Sequence, residues 1–403
     1  MDILVLDAIH GGKEIATALQ AQGHRTDLVD VYRAETGVQA STALGGHYDL
    51  MIAPVHLDPG NLFLRSISAP SITHHDAVRW ILGDKIPEVF VEITGAQGKT
   101  TTAHALAHLM PGPGVLHTSS GTFRYPEKAV LWRKSIAPAS VIPAARYARD
   151  IGGWCIAEVS LGLTGAGTLG IITSPGDYPC AGGMKRARDE KIRSALHCRC
   201  ILTAPGVLVP YRWAYAVDDI ARSDGISCSV RVDSTSWEFT SPLLALESYR
   251  TPLMLAASAA GLMGLDPSGL ATFPPVGGRM AVTAEGPVSI IDNANSGTNC
   301  ATTEEAVKLA RSQPGSREVT LVIGMDAHAV CEGFPPEEIA RAIRSTRPER
   351  VVLVGDHAWE PAEEAARSLG IPISYAGDLK EGRQTACSRA HPGFVVLAVK
   401  TWR

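Results

Sequence analysis

The chain has 403 residues, 45% of them hydrophobic and 19% charged, which gives enough apolar material for about two to four globular domains and excludes chain-wide disorder. A formal net charge of −4 speaks against a polyanion-binding surface and so against nucleic acid as a partner. The longest apolar run, 253–265, is short of the roughly 20 residues that a membrane helix requires, so no membrane partner is expected.

The first block opens with Ile3-Leu4-Val5-Leu6-Asp7, turns at His10-Gly11-Gly12 and continues as a helix through Leu19 to Gly23. Leu28-Val29-Asp30-Val31-Tyr32 and Leu50-Met51-Ile52-Ala53-Pro54-Val55 predict further strands. This βαβ alternation predicts a parallel sheet with helical cover over residues 1–86, a Rossmann-like substrate-binding domain. A second block, 87–275, begins with Val89-Phe90-Val91-Glu92-Ile93 and contains buried strands at Cys155-Ile156-Ala157-Glu158-Val159 and Leu169-Gly170-Ile171-Ile172-Thr173. A helix over 252–263 comes late in it, and Phe273-Pro274-Pro275-Val276-Gly277-Gly278 reads as a hinge. The third block, 276–403, alternates strands at 288–291, 319–323, 351–354 and 394–398 with helices at 303–312, 336–345 and 361–369, a further α/β unit.

The sharpest local signal is Thr94-Gly95-Ala96-Gln97-Gly98-Lys99-Thr100-Thr101, set between a predicted strand and a helix beginning near Thr100. Glycines let backbone N–H groups converge on phosphate oxygens, and a helix N-terminus adds partial positive charge. In such a loop Lys99 pairs with the β/γ-phosphates and the Thr100 hydroxyl can hold Mg²⁺. The eight cysteines are scattered with no C-x-x-C pair, as in a reduced cytoplasmic protein. Asp2 stands where a signal peptide carries positive charge, and no leader is expected.

That loop resembles the ATP loop of the Mur ligase family, which joins carboxylates to amines through acyl phosphates. Further motifs follow in the family's order: Ala157-Glu158-Val159-Ser160, Ile171-Ile172-Thr173-Ser174-Pro175-Gly176-Asp177, Asp189-Glu190-Lys191-Ile192-Arg193, Gly277-Gly278-Arg279-Met280 and Ile291-Asp292-Asn293-Ala294-Asn295-Ser296. The resemblance implies a three-domain α/β architecture with a central phosphate-loop ATPase domain. It implies catalytic roles for Lys99, Glu158 and Lys191, the last at the position of a carbamylated lysine. ATP contacts are implied at Gly95, Ala96, Gln97, Gly98, Lys99, Thr100, Thr101, Arg279, Asp292 and Asn295, and Mg²⁺ contacts at Thr100 and Glu158. Two departures stand out. Tyr178 follows Asp177 where the family has a histidine, and Tyr249-Arg250-Thr251-Pro252-Leu253 replaces its H-N-x-x-N stretch near the adenine.

The opening Leu6-Asp7-Ala8-Ile9-His10-Gly11-Gly12, with Ala53-Pro54-Val55-His56 and Thr73-His74-His75-Asp76, resembles one branch of that family, the coenzyme F430 synthetases of methanogenic archaea. This branch implies a nickel-containing tetrapyrrole as partner, 15,17(3)-seco-F430-17(3)-acid. Its propionate carboxylate is activated by ATP and closed onto a carbon of the same macrocycle, with release of ADP and phosphate. Substrate contacts are then expected at His10, Gly11, His74 and Arg186. Two other readings stay open at this point: an amide-forming ligase for a cell-wall, pseudomurein or folate-like acceptor, and a nucleotide-binding regulator without turnover. For Lys191 the alternative to a carbamate is a lysine on the solvent face of its helix.

Overall fold

The computed structural model describes residues 1–403 apart from 34–35, 315–317, 327–332, 356–358, 390–392 and 403; Cys331 thus lies outside the described residues. The chain divides into two units, Met1–Ala245 with Tyr249–Thr272, and Leu246–Ser248 with Phe273–Arg403.

The first unit opens with β1 (Asp2–Leu6), β2 (Arg25–Val29), β3 (Leu50–Ala53) and β4 (Ser71–Thr73), a parallel sheet in the order β2-β1-β3-β4. β1 is inside because its side chains alternate between two apolar layers. Ile3 and Val5 pack with Ile15, Leu19, Val78 and Ile81 of the helices Lys13–Gln20 and His74–Leu82. Leu4 and Leu6 pack with Met51 and Phe63 on the other face. Each such side chain contributes about 1.5–3 kcal/mol when buried. The predicted second strand slides back by three residues to Arg25–Val29, and β4 had no clear apolar run to announce it.

A second sheet is built from β5 (Phe90–Thr94), β6 (Gly114–Thr118), β7 (Gly121–Tyr125), β8 (Ala129–Trp132), β9 (Trp154–Glu158) and β10 (Leu169–Ile172). A short hairpin, β11 (Pro179–Cys180) with β12 (Lys185–Arg186), stands apart, and the sheet is completed by β13 (Ile201–Thr203) and β14 (Ala214–Ala216). Its order is β14-β13-β10-β5-β9-β6-β7-β8, parallel except where β7 and β8 extend it antiparallel. Every residue of β5 is buried, as a central parallel strand covered on both faces requires. Glu92 is buried there too, and its carboxylate accepts from the Thr164, Gly165 and Gly167 amides and the Thr164 hydroxyl. A small antiparallel sheet, β15 (Ala221–Asp224), β16 (Ser227–Val232) and β17 (Thr235–Thr240), follows. The late helix runs Glu247–Leu262 with Pro252 inside it, so it starts about a turn before the predicted position.

In the second unit β18 (Ala281–Glu285) pairs antiparallel with β19 (Val288–Asp292) at the edge of a six-stranded sheet. β20 (Val319–Met325), β21 (Arg350–Val354), β22 (Ile373–Ala376) and β23 (Gly393–Lys400) complete it in the order β18-β19-β23-β20-β21-β22. Val322, Val352, Val395 and Leu397 pack at its centre. The helices Cys300–Ser312, Pro336–Thr346 and Glu360–Ser368 lie close to their predicted positions.

Candidate active site

The phosphate-loop residues sit between β5 and the helix Lys99–Leu109. Gly98 caps that helix at φ 82° with no side-chain acceptor, and Gly95 stands at φ 151° against the Thr173 hydroxyl. A Cβ at Gly95 would collide with Thr173, Gly98 holds a left-handed backbone that favours glycine, and a helix N-terminus at such a turn suits an anion. Lys99 folds back over the loop, its Nζ donating to the carbonyls of Gly95 (3.0 Å) and Ala96 (3.4 Å). The loop is braced from the end of β10. Ser174 Oγ accepts from the Ala96 and Gln97 amides at 3.0 and 3.1 Å, and the Thr173 hydroxyl donates to the Gln97 and Thr94 carbonyls. Thr101 is buried in the helix's first turn.

The predicted metal pair meets directly. Thr100 Oγ1 donates to Glu158 Oε1 at 2.7 Å, the Ser119 amide donates to Oε2 at 2.7 Å, and the two hydroxyls lie 3.3 Å apart. Register explains this: Glu158 ends β9, beside β5, while Ser119 lies in the turn between β6 and β7, on the other side of β9. Nothing in the local sequence around Ser119 marks it. A carboxylate and hydroxyls form a hard oxygen donor set, which suits Mg²⁺. Glu158→Ala is therefore expected to raise the Mg²⁺ concentration needed for half-maximal ATP turnover by about 10-fold or more while leaving substrate binding within about twofold. An unchanged Mg²⁺ requirement would make Glu158 a packing residue.

Downstream, Asp177 accepts from Arg186 Nε at 2.7 Å and from the Arg188 amide at 3.0 Å, which closes the segment around β11 and β12. Lys191 is buried, not on a solvent face, and its ammonium lies 4.6 Å from the centre of the Tyr178 ring. Its neighbours diverge: Arg193 is exposed and paired with Glu190, while Lys185 Nζ donates to the Val55 carbonyl at 3.2 Å. Lys191 thus lies in the interior while Arg193, two residues on, lies at the surface.

A second cluster lies at the C-terminal ends of β1 and β3. With order β2-β1-β3-β4 the chain leaves β1 in both directions, so a crevice forms between those two strand ends. Asp7, fully buried at φ 75°, follows β1 and accepts from the Ile9 and His10 amides at 2.9 and 3.1 Å. His10 Nδ1 is 2.7 Å from Asp7 Oδ2, and His56 Nε2 is 3.4 Å from the same oxygen. Burial opposes ionisation of Asp7, but the hydrogen bonds from His10 and the nearby His56 ring prevail and hold its carboxyl far below the usual range. The Asp7 carboxylate in turn raises the His10 pKa above the ordinary histidine value.

Of the other residues expected at the substrate, Gly11 backs onto Ala139 at φ 102°, and Arg186 is half-exposed on Asp177. His74 is enclosed, with its Nε2 2.9 Å from the Leu6 carbonyl, and adjacent His75 reaches the Ser160 carbonyl at 2.9 Å. These two rings link the end of β1 to the loop that follows Glu158. Asp7 is the member of this cluster that residue-by-residue reading had not singled out. In the second unit, Asn295 Nδ2 donates to the Gly278 carbonyl at 2.7 Å, bringing the loop after Asp292 onto the turn that carries Arg279.

A family model described as coenzyme F430 synthetase CfbE, C-terminal domain, matches residues 282–401. The chain is 31% identical to the coenzyme F(430) synthetase of Methanosarcina acetivorans over an alignment of 474 residues, covering 100% of this chain and 98% of the relative. Among solved structures, MurF from Acinetobacter baumannii superposes over 97% of this chain and 95% of its own at 14% identity, with a TM-score of 0.59. A bifunctional folylpolyglutamate synthase/dihydrofolate synthase with Mn, AMPPNP and L-glutamate bound aligns over 81% of this chain and 90% of its own, with 15% identity and a TM-score of 0.58. The fold is that of the Mur ligases, and with the phosphate loop it defines an ATP-dependent ligase. The chain belongs to the coenzyme F430 synthetase family. No helix among the described residues is long and apolar enough to cross a membrane.

Proposed function

We propose that this protein uses ATP and Mg²⁺ to activate a propionate carboxylate of a nickel tetrapyrrole as an acyl phosphate, and then closes a six-membered carbocycle within the same molecule. The meeting of Thr100 with Glu158 beside the phosphate loop carries the ATP half of this reading. Lys99 neutralises charge on the transferred phosphoryl group, while Thr100 and Glu158 would hold the metal, which supplies further neutralisation when bound. Lys191 acts from the segment after Asp177, and Arg186 and His10 touch the macrocycle, with Gly11 and His74 shaping the wall behind them. For the second unit we propose nucleotide contacts at Arg279, Asp292 and Asn295, supported by the hydrogen bond from Asn295 to Gly278.

An intramolecular nucleophile needs no separate amine site, because binding one molecule already supplies the effective concentration. Purified protein with ATP, Mg²⁺ and the seco acid, in the absence of any amino acid, is expected to form one ADP per product and to remove one water from the substrate. If turnover begins only when an amino acid is added, and the product gains that residue's mass, the protein is an amide ligase.

A further inference from the structure

Acylation at carbon requires a carbon nucleophile, so the C–H that becomes the new C–C bond must give its proton to a base. The groups around the phosphate loop are poorly suited to that task. Lys99 is a cation folded onto carbonyls, and the Glu158 carboxylate is taken up by Thr100 and Ser119. The crevice between the ends of β1 and β3 holds a pair with the right form.

We infer that His10, oriented by Asp7, is the proton acceptor that generates the carbon nucleophile. This rests on the cyclising reading above. Nδ1–H of His10 donates to Asp7 Oδ2 at 2.7 Å, so Nε2 carries the lone pair on a side chain that is 49% exposed. Asp7 is held in place: its carboxylate also accepts from the Ile9 and His10 amides, and the residue keeps a left-handed backbone. A buried carboxylate behind one imidazole nitrogen fixes the tautomer and stabilises the imidazolium formed at the other. His56 stands edge-on to His10 at 4.9 Å between ring centres and stacks on Tyr32, which restrains the His10 ring from the side.

The crevice is also tied to the chemistry of the second sheet. Lys185 holds the carbonyl of Val55, next to His56, so the segment running from Asp177 to Lys191 reaches the crevice rim. His74 and His75 join the end of β1 to Ser160, two residues beyond Glu158. In the step itself Nε2 takes the proton, and the C–H electron pair forms the bond to the acyl carbon. The C–O bond to phosphate breaks, and inorganic phosphate leaves with that pair. The imidazolium then returns its proton to water. Asp7 is a positioning residue throughout.

The groups facing His10 are Asp7, Asp30, Arg33, His56 and Tyr32. Of these Asp7 has the largest effect and raises the His10 pKa. The acid limb of ring closure is therefore expected above the ordinary histidine range, and Asp7→Asn should move it to lower pH while slowing the reaction.

The test separates activation from closure. Hydroxylamine traps an acyl phosphate as a hydroxamate, and ring closure is followed by mass and absorption. His10→Gln is expected to lower closure about 10²–10⁴-fold and to lower it far more than the hydroxamate yield at saturating substrate. Closure at the wild-type rate, or equal loss of hydroxamate and closure in a folded variant, overturns the inference and leaves the cyclising reading standing. Asp7→Asn supplies the second reading: an acid limb that does not move overturns it equally. Wild-type protein that forms no ADP with the seco acid overturns both.

Discussion

Lys99→Ala is expected to leave a folded protein whose ATP-dependent turnover falls at least about 10³-fold, the range seen when a single cation is removed from a phosphoryl-transfer site. The lysine side chain is half-buried and folds onto two loop carbonyls. The loop keeps its other supports without it, namely Ser174, Thr173 and the two positive-φ glycines. On the function proposed above, what is lost is a positive charge beside the γ-phosphate. Circular dichroism should match wild type and the melting temperature should fall by only a few degrees. A folded variant that turns over at the normal rate would remove the phosphate loop from the mechanism.

The second large effect concerns acid. Burial pushes the pKa values of His74, His75 and His117 down to about 4. Their folded-state values thus lie below the unfolded 6.5, so the unfolded chain takes up protons first as pH falls. The stability that these neutral rings allow is complete above pH 6.5 and is lost as pH drops toward 4. A fall from 6.5 to about 4 corresponds to about 3 kcal/mol per ring. His74 and His75 together then approach the total stability of many domains. Urea unfolding followed by tryptophan fluorescence should show a midpoint much lower at pH 5 than at pH 7.5. His75→Gln should be less stable than wild type at pH 7.5 but lose less on acidification. Equal midpoints at the two pH values for wild type would mean that the rings are not held neutral inside the fold.

The phosphate loop was legible in the sequence because its logic is local: an apolar strand, two glycines and a helix start lie within about fifteen residues. Glu158 was legible because it closes a strand of uniformly apolar character. The residues that complete the site were not, since contact and sequence distance diverge. Ser174 braces Ala96 from 78 residues away, and Ser119 meets Glu158 from 39. Asp7 looked like the end of a strand; only the parallel neighbour β3 brings His56 to it. The second strand was misplaced for a different reason. It is an edge strand whose outer positions are partly exposed, so of the predicted Leu28–Tyr32 only Leu28 and Val29 lie in the strand, and Val31 and Tyr32 fall in the turn beyond it. β7 and β8 escaped notice because an antiparallel extension with one open face needs no continuous apolar run.

The ring of Tyr178 against Lys191 favours one charge over the other. The face of an aromatic ring attracts an ammonium and repels an anion. A carbamate on this lysine would have to displace the ring, whereas the protonated amine is stabilised by it. An ammonium and a carbamate at this position would carry opposite charges, and the ring face suits the first. Tyrosine at position 178 thus sets an aromatic face, not an imidazole, against the amine of Lys191.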